Sequence, residues 1–350
     1  MSAEHLSRLD AERAFFPRSR FHELSWDYVP FDHLTAGADV DGRIDRALRA
    51  EAGCVSIVAP SGGGKSAAIA AAVQRLERDF PCIRIPVAAV GDVAGTPVAF
   101  GQHILSQVVR QADSLLAAHQ RQDLSEAAAD RVTTHRQPRG LGAKLRAAIP
   151  GLSLELAGDL KSSGLDTERV TNATEVMAGL TRLVSIFEIR GGPPILVFED
   201  TDAWVGGPDE GEVAAAANGF FRHSLGVLIR DVEIRSIIAT HTKYVEQHGY
   251  LAVRERLLAE IEIPELGDVR RAITRIIGKR IEVSEVEASV DEVFTEDALT
   301  RLVAEYDHSG RSIRRVLQVC DTALEQQAPS YPDRLTSDHL RGASVALTSL

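Results

Sequence analysis

A short glycine-rich stretch near the start of the chain has the residue types and order needed to grip a polyphosphate. It consists of Pro60, Ser61, Gly62, Gly63, Gly64, Lys65, Ser66 and Ala67. The glycines leave the backbone without Cβ atoms, so that successive N–H groups can point at phosphate oxygens. A helix that begins here adds unpaired donors and a favourable dipole. Lys65 would reach the β- and γ-phosphates, and the Ser66 hydroxyl would complete a Mg²⁺ shell.

This P-loop pattern has one departure from the usual motif. Ala59 stands where the pattern has its first glycine. We expect the change to be tolerated, because that residue ends the preceding strand and does not touch phosphate in the usual arrangement.

Two acidic residues that follow an apolar run give a second signal for nucleotide chemistry. Ile195–Phe198 precede Glu199 and Asp200. Acids that end a buried parallel strand emerge at the sheet edge where α/β folds bind ligands. One carboxylate can hold Mg²⁺, and its neighbour can polarise an attacking water. We assign Glu199 to the metal and Asp200 to the base; swapped roles, or a contribution from Asp202, stay open because Asp usually comes first.

A third candidate lies at the end of the strand predicted over Arg235–Thr240. The hydroxyl of Thr240 could hydrogen-bond the γ-phosphate or the attacking water, with His241 behind it. An ordinary threonine that ends a strand is an equally good interpretation of the same residue.

The elements that must position these residues alternate between strand and helix. Short β-branched runs predict strands at 54–58, 82–87, 195–200, 235–240 and 261–263. Helical spacing predicts helices at about 40–51, 65–78, 97–118, 171–190 and 211–230. From about 268 onward the strand signals stop and four helices are predicted. The pattern indicates an α/β P-loop NTPase with a parallel sheet flanked by helices, followed by a small all-α lid domain.

The predicted domains are an N-terminal packing segment at 1–39, a nucleotide-binding domain at 40–266 and a lid at 267–350. An insertion at about 119–170 interrupts the second of these. It contains several basic residues, namely Arg131, His135, Arg136, Arg139, Lys144 and Arg146. They could contact a phosphate backbone, but solvated loops collect such charges as well.

Composition excludes some classes of protein. The 350 residues carry a net charge of −11, which argues against a chain that coats nucleic acid with its whole surface. The start of the chain has no signal-peptide core, and no apolar run is long enough to cross a bilayer. Three cysteines without metal-ligand spacing suit buried packing in a reducing compartment. We therefore expect a cytoplasmic protein without membrane contact.

The order of elements over about 30–346 resembles the AAA+ ATPases, and within them the initiator-type branch that includes origin-recognition proteins. Tyr28–Leu34 resembles the segment that precedes the nucleotide fold there, and Arg314–Cys320 resembles the helix with the second sensor arginine. The resemblance implies that Arg314 reaches from the lid to bound phosphates. It also implies that Arg256 is an arginine finger for a neighbouring subunit's ATP, with Arg254 as the nearby rival.

The resemblance further implies ATP and Mg²⁺ as cofactors, a homo-oligomer with shared ATP sites, and nucleotide-driven assembly or remodelling, with DNA as one partner to consider. The chain ends at Leu350 without the winged-helix domain common in origin-binding members, so replication initiation is not predicted. The core also resembles regulatory ATPases of transposition and bacterial defence. The alternative is a slow ATP/ADP switch that recruits a protein effector. A P-loop kinase for a small molecule is weaker, because it would not need the lid.

Overall fold

A computed structural model of the protein combines a parallel β-sheet with helices on its faces and a group of C-terminal helices. The structure describes residues 2–18, 20–87, 96–115, 180–181, 194–199 and 210–348. Several predictions fall outside the described residues. They are the insertion at 119–170, nearly all of the helix at 171–190, Asp200 and Asp202.

Five strands form the sheet, and all of them were predicted to within two residues at either end. They are β1 (Gly53–Ala59), β2 (Cys82–Pro86), β3 (Ile195–Glu199), β4 (Arg235–His241) and β5 (Ala259–Glu262). Their order is β2-β3-β4-β1-β5. β3 pairs in parallel with β2 and β4, with Phe198 opposite Ile85 and Ile238. A strand at the centre of a parallel sheet is covered on both faces, which explains the continuous apolar runs in β1 and β3.

The described helices before the last strand include those predicted at about 40–51, 65–78, 97–118 and 211–230, and three further ones at 2–11, 31–34 and 248–254 that were not predicted. They are α1 (Ser2–Ala11), α2 (Phe31–Leu34), α3 (Val40–Ala50), α4 (Lys65–Leu76), α5 (Pro97–Leu115), α6 (Glu210–Gly219), α7 (Gly226–Asp231) and α8 (His248–Arg254). The single helix predicted at 211–230 contains a π-helical stretch at Phe220–Leu225, between α6 and α7. The wider turn places consecutive aromatic residues, Phe220 and Phe221, in the core.

Five helices follow the last strand. They are α9 (Val269–Val283), α10 (Val290–Val293), α11 (Glu296–His308), α12 (Ile313–Gln327) and α13 (Ser337–Thr348). The four long helices match the prediction, which missed only α10. That single turn is too short to show a helical period, and its start is held by a capping box between Ser289 and Glu292.

The chain divides into two compact units. One contains residues 1–44, 58–74 and 261–350, and the other contains residues 45–57 and 75–260. The P-loop and α4 are thus grouped with the C-terminal helices, whereas the predicted boundary at 266/267 separates them. We call these the loop unit and the sheet unit.

The core of the sheet unit is built on aromatic side chains. Phe100 packs on Phe198 and Phe220 with ring centroids 5.7 and 5.2 Å apart, and Phe221 packs on Tyr250 at 5.3 Å. Such tilted and edge-on pairs add to the free energy gained from burial alone. This layer lies between β-strand residues and the helices α5 to α8.

The N-terminal segment belongs to the loop unit. Helix α1 packs on α10 and α12, and Phe15 lies 5.7 Å from the ring of Phe294. Buried Asp27 pairs with Arg18 at 2.7 Å and with Arg280 at 2.9 Å. The aromatic-rich start of the chain therefore packs against the C-terminal helices. Among the described helices, none has the length and apolar character that a bilayer crossing requires.

Candidate nucleotide-binding site

The backbone between β1 and α4 explains the glycines of the P-loop. Gly62 and Gly64 have φ angles of +74° and +93°, in the left-handed region that other residues rarely adopt. A Cβ atom on Gly63 would lie only 3.1 Å from the carbonyl oxygen of Pro60. The chain therefore turns tightly here, and glycines are required by the geometry of the loop itself.

Lys65 at the start of α4 is held inside this loop. Its side chain is buried, and Nζ donates to the carbonyl oxygens of Ala59 and Pro60 at 2.9 Å each. A buried ammonium group is tolerated only where such acceptors surround it. The loop thus keeps a positive charge beside its own backbone, and contact of Lys65 with phosphates stays a prediction.

The lid contacts the P-loop directly within the loop unit. The N–H of Ile313, the first residue of α12, donates to the carbonyl oxygen of Gly62 at 3.1 Å. A Cβ atom on Gly62 would meet Ser312 Oγ at 2.1 Å and Arg314 Cβ at 3.3 Å. The start of α12 and the turn of the loop therefore pack against each other with no room to spare.

The start of α12 thereby brings Arg314 close to the P-loop, and its contact with bound phosphates stays a prediction. Its side chain is exposed and has no ion pair within the described part of the chain. The next residue, Arg315, behaves differently, because it donates to Glu305 at 3.1 Å and to the carbonyl oxygen of Ser344 at 3.1 Å. Of the two, only Arg314 is available to an added anion.

The segment before α3 also lies against the loop. A Cβ atom on Gly64 would be 3.0 Å from the ring of Phe31. Asp41 accepts from the Phe31 N–H at 3.1 Å and from the Tyr28 hydroxyl at 3.0 Å. These bonds fix the segment that resembles the entry to the nucleotide fold.

A pocket of about 490 Å³ lies beside the same segment. Its walls come from the residues around α2 and from the start of α9, namely Asp32, His33, Leu34, Thr35, Ala36, Gly267, Asp268, Arg271, Ala272 and Arg275. Cavities of this size commonly hold small ligands.

In the sheet unit, Glu199 forms a bidentate ion pair that the sequence did not predict. Arg84 on β2 donates to its two carboxylate oxygens at 2.6 and 2.7 Å. Gln111 on α5 fixes the backbone of Arg84, since it accepts from the N–H at 2.9 Å and donates to the carbonyl at 2.8 Å. Two parallel charge-assisted bonds of this kind are among the stronger contacts available to a carboxylate.

The resemblance implies a Mg²⁺ ion held by Ser66 and Glu199. Ser66 suits this role, whereas Glu199 is engaged in an ion pair. Ser66 lies in the first turn of α4, and its side chain is exposed. Ser61, just before the glycines, is also exposed, and Ala67 is half-buried. Mg²⁺ commonly takes few protein ligands and completes its shell with water and phosphate. Glu199 already accepts from Arg84 with both oxygens, so it would serve through water or after that pair opens. The described residues contain no preformed cluster of metal ligands.

Thr240 is completely buried, and its hydroxyl lies 2.8 Å from that of Ser56 on β1. Residues along a strand alternate between faces, and position 240 falls on the face covered by α8 and its neighbours. The contact with γ-phosphate stays a prediction that these contacts do not support. His241 caps the next turn, where its Nδ1 accepts from the Lys243 N–H at 3.0 Å.

Arg254 and Arg256, the two finger candidates, differ in their contacts. Arg254 ends α8 and donates to Glu260 at 2.6 Å. Arg256 is exposed, and within the described residues it has no ion pair. The structure thus separates two arginines that the sequence left as alternatives.

Sequence reasoning missed four polar residues in the sheet unit, namely Ser56, Arg84, Tyr250 and Glu260. Ser56 and Arg84 each interrupt an apolar strand, and this was the signal that could have revealed these two. The cysteines need no such explanation. Burial raises the pKa of Cys54 and of Cys82 to about 12, so both thiols stay protonated and act as packing groups.

No family model and no curated protein sequence matches the chain. Solved structures do resemble it. The ORC1 protein of Aeropyrum pernix in complex with DNA is 17% identical, covering 92% of this chain and 66% of its own, with a TM-score of 0.48. The ORC2 protein of the same organism, in ADPNP-ADP complexes, is 15% identical over 95% and 71%, with a TM-score of 0.49. Drosophila ORC bound to DNA is 12% identical over 97% and 65%, with a TM-score of 0.47.

The chain spans just under two thirds of the first and third of these proteins. The likeness concerns the fold. The five-stranded parallel sheet and the glycine loop after β1 give this protein the α/β fold of a P-loop NTPase.

Proposed function

We propose that the protein is an AAA+ ATPase that binds ATP in the loop Pro60–Ala67 and hydrolyses it at interfaces between identical subunits. The observation that carries the proposal is the contact between Gly62 and Ile313 at 3.1 Å. It sets a lid arginine beside a glycine loop that already holds a lysine. A triphosphate would thus meet backbone N–H groups, Lys65 and Arg314 together.

Each group has a distinct part in the proposed binding. Backbone N–H groups of the loop would bind the phosphate oxygens, and the Lys65 ammonium would leave the carbonyl oxygens of Ala59 and Pro60 for the β- and γ-phosphates. The pocket between α2 and α9 would hold the base. Mg²⁺, when bound, would neutralise phosphate charge beside Ser66.

Hydrolysis needs groups that the sequence assigns and the described contacts do not test. Asp200 would orient the attacking water, and Arg256 of a neighbouring subunit would stabilise charge on the γ-phosphoryl group. Loss of the γ-phosphate would remove the contact to Arg314 and change the orientation of the lid. This change would link ATP turnover to the assembly of the subunits. DNA remains a proposed partner because of the basic residues at 131–146, and cytoplasmic location stays a prediction.

The test is a pair of variants measured for binding and for turnover. Lys65→Ala should abolish binding of a fluorescent ATP analogue, whereas Asp200→Asn should keep binding and lose turnover. Both should melt within a few degrees of the wild type. Wild-type turnover in either variant would show that the site has been assigned wrongly.

The pairing of Glu199 with Arg84 favours a second candidate, a slow ATP/ADP switch that recruits a protein effector. A carboxylate held by two bonds of 2.6 and 2.7 Å would serve a metal ion only through water or after the pair opens, which favours slow turnover. ATPase rates with and without DNA separate the two functions. Strong stimulation supports the nucleic-acid machine, and slow turnover that DNA does not change supports the switch.

A further inference from the structure

A chain of hydroxyl groups crosses the apolar core of the sheet unit. Thr240 on β4, Ser56 on β1 and Tyr250 on α8 are each at most 1% exposed. The Ser56 hydroxyl lies 2.8 Å from that of Thr240 and 3.0 Å from that of Tyr250. The Tyr250 hydroxyl then donates to Glu260 Oε2 at 2.7 Å. The chain therefore runs from the end of β4 to a carboxylate on β5.

Each hydroxyl group of this chain has a polar partner inside the core. An ionised carboxylate only accepts, so the single proton of Tyr250 goes to Glu260. Ser56 donates to the Thr240 hydroxyl, and its oxygen lies 3.0 Å from that of Tyr250. Burial raises the pKa of Tyr250, which keeps its phenol protonated and able to donate. The hydroxyl group of Thr240 is therefore engaged inside the core.

The far end of the chain is an arginine at the end of α8. Glu260 Oε1 accepts from Arg254 at 2.6 Å while Oε2 accepts from Tyr250. One carboxylate thus joins a buried phenol to a partly exposed guanidinium. The turn that follows is closed by the Arg256 N–H, which donates to the Val253 carbonyl at 2.9 Å. Arg256 lies on this turn, two residues beyond the arginine that is tied down.

Such a chain is an unusual choice for a core. Alanine at 56 and phenylalanine at 250 would fill nearly the same volume without burying polar groups, and apolar replacements of this kind are often neutral or stabilising. A fully satisfied polar network instead fixes one relative position of the elements that it joins. Here the joined elements are β4, β1, β5 and the end of α8.

We propose that Tyr250 and Glu260 are positioning residues that hold the end of α8, tie up Arg254, and so present Arg256 as the arginine given to a neighbouring subunit's ATP. This inference rests on the proposed function and deepens it. It decides between two arginines that the sequence left open, and it names the residues that make the choice.

Mixed assemblies test the proposal with the full-length chain. Lys65→Ala subunits cannot bind ATP but still present an arginine, and we call them donors. Arg256→Ala subunits bind ATP but present none, and we call them acceptors. Mixing the two should restore ATPase activity that neither has alone. Tyr250→Phe or Glu260→Gln is then placed in the donor or in the acceptor.

A positioning role predicts an effect that depends on the placement. In the donor, either substitution should lower the restored activity about tenfold or more, because small displacements of a catalytic group cost this much. In the acceptor it should change nothing, because that subunit's α8 no longer contributes an arginine. A role in stability alone would lower activity in both placements. Tyr244→Phe, in a second buried tyrosine of the same core, is the matched control and should show no dependence on placement.

The outcomes separate this inference from the proposed function. No ATPase activity in the wild type, or none restored by mixing, would overturn the proposed function. Restored activity that is insensitive to Tyr250→Phe and Glu260→Gln in the donor would overturn only the positioning role. Activity that survives Arg256→Ala and is lost in Arg254→Ala would show that the bound arginine is the one used, and would overturn the inference as well.

Discussion

Each unit contains two neighbouring arginines, of which one forms an ion pair and the other forms none among the described residues. At the start of α12, Arg315 is bound to Glu305 while Arg314 is exposed. At the end of α8, Arg254 is bound to Glu260 while Arg256 is exposed. In both places one arginine fixes the backbone and leaves its neighbour available to a ligand. The pairs differ in depth, because the Glu305 carboxylate is 8% exposed and the Glu260 carboxylate is 24% exposed.

Sequence motifs identify a segment that bears arginines better than they identify which arginine in it is available to a ligand. Adjacent guanidinium groups look alike in a sequence, and the carboxylates that engage them lie ten residues and six residues away. Substitutions at and around these arginines test whether the bound and the available ones have different roles.

The largest effect is expected at the end of α8. Arg256→Ala should lower the ATPase rate about a thousandfold, the range found for arginine fingers, while ATP binding is retained. Arg254→Ala removes a surface ion pair and should have a much smaller effect on the rate. Steady-state turnover at saturating ATP is the measurement. Equal losses in the two variants would show that the bound and exposed arginines are not functionally distinct.

The start of α12 should show the opposite balance between stability and ligand response. Arg315→Ala leaves the Glu305 carboxylate buried without the closer of its two arginine partners, and should lower the free energy of unfolding by about 3 kcal/mol. Arg314→Ala should leave that free energy unchanged, but should reduce the rise in melting temperature that ATP produces. Urea unfolding and thermal melts with and without ATP test both. Destabilisation by Arg314→Ala would contradict the assignment.

Much of this arrangement was predictable, for identifiable physical reasons. The P-loop could be predicted because a tight turn before a helix demands glycine at Gly62 and Gly64. The strands could be predicted because burial on both faces leaves only apolar residues. The pairing of Arg84 with Glu199 could not, since strand order places β2 beside β3 although 115 positions separate the two residues. The same holds for Ser56 and Thr240, which meet only because β1 lies next to β4.

A glycine substitution tests the contact that supports Arg314. Gly62→Ala would place a Cβ atom 2.1 Å from Ser312 Oγ and impose an unfavourable φ of +74°. We expect a loss of about 2 kcal/mol of unfolding free energy together with weaker ATP binding.

Gly310→Ala is the matched control for this substitution. Gly310 has a similar φ of +69°, but an added Cβ atom would meet nothing within 4 Å. It should therefore cost about 1 kcal/mol from backbone strain alone and leave ATP binding intact. Equal effects of the two substitutions on ATP binding would show that the loop and α12 are not coupled through Gly62.

The smallest effect concerns pH and again distinguishes α12. Burial, followed by the nearby charge of Glu325, raises the pKa of Asp321 from 3.8 to about 6. The folded state therefore holds this proton more tightly than the unfolded state does. The stabilisation is fully present below pH 3.8 and is lost as the pH rises through about 6. Asp321→Asn should remove this dependence and stabilise the protein by about 1 kcal/mol at pH 7.5, because solvent and nearby arginines screen part of the shift.

Urea unfolding at pH 5 and pH 7.5 measures the difference between Asp321→Asn and the wild type. That difference should be larger at pH 7.5, where the wild-type carboxylate is charged. Asp307→Asn, at an exposed position on α11, should show no such change with pH. If the difference is the same at both pH values, the ionisation of Asp321 does not affect folding. The ion pair of Arg315 with Glu305 would then be the charged contact of α12 that matters for stability.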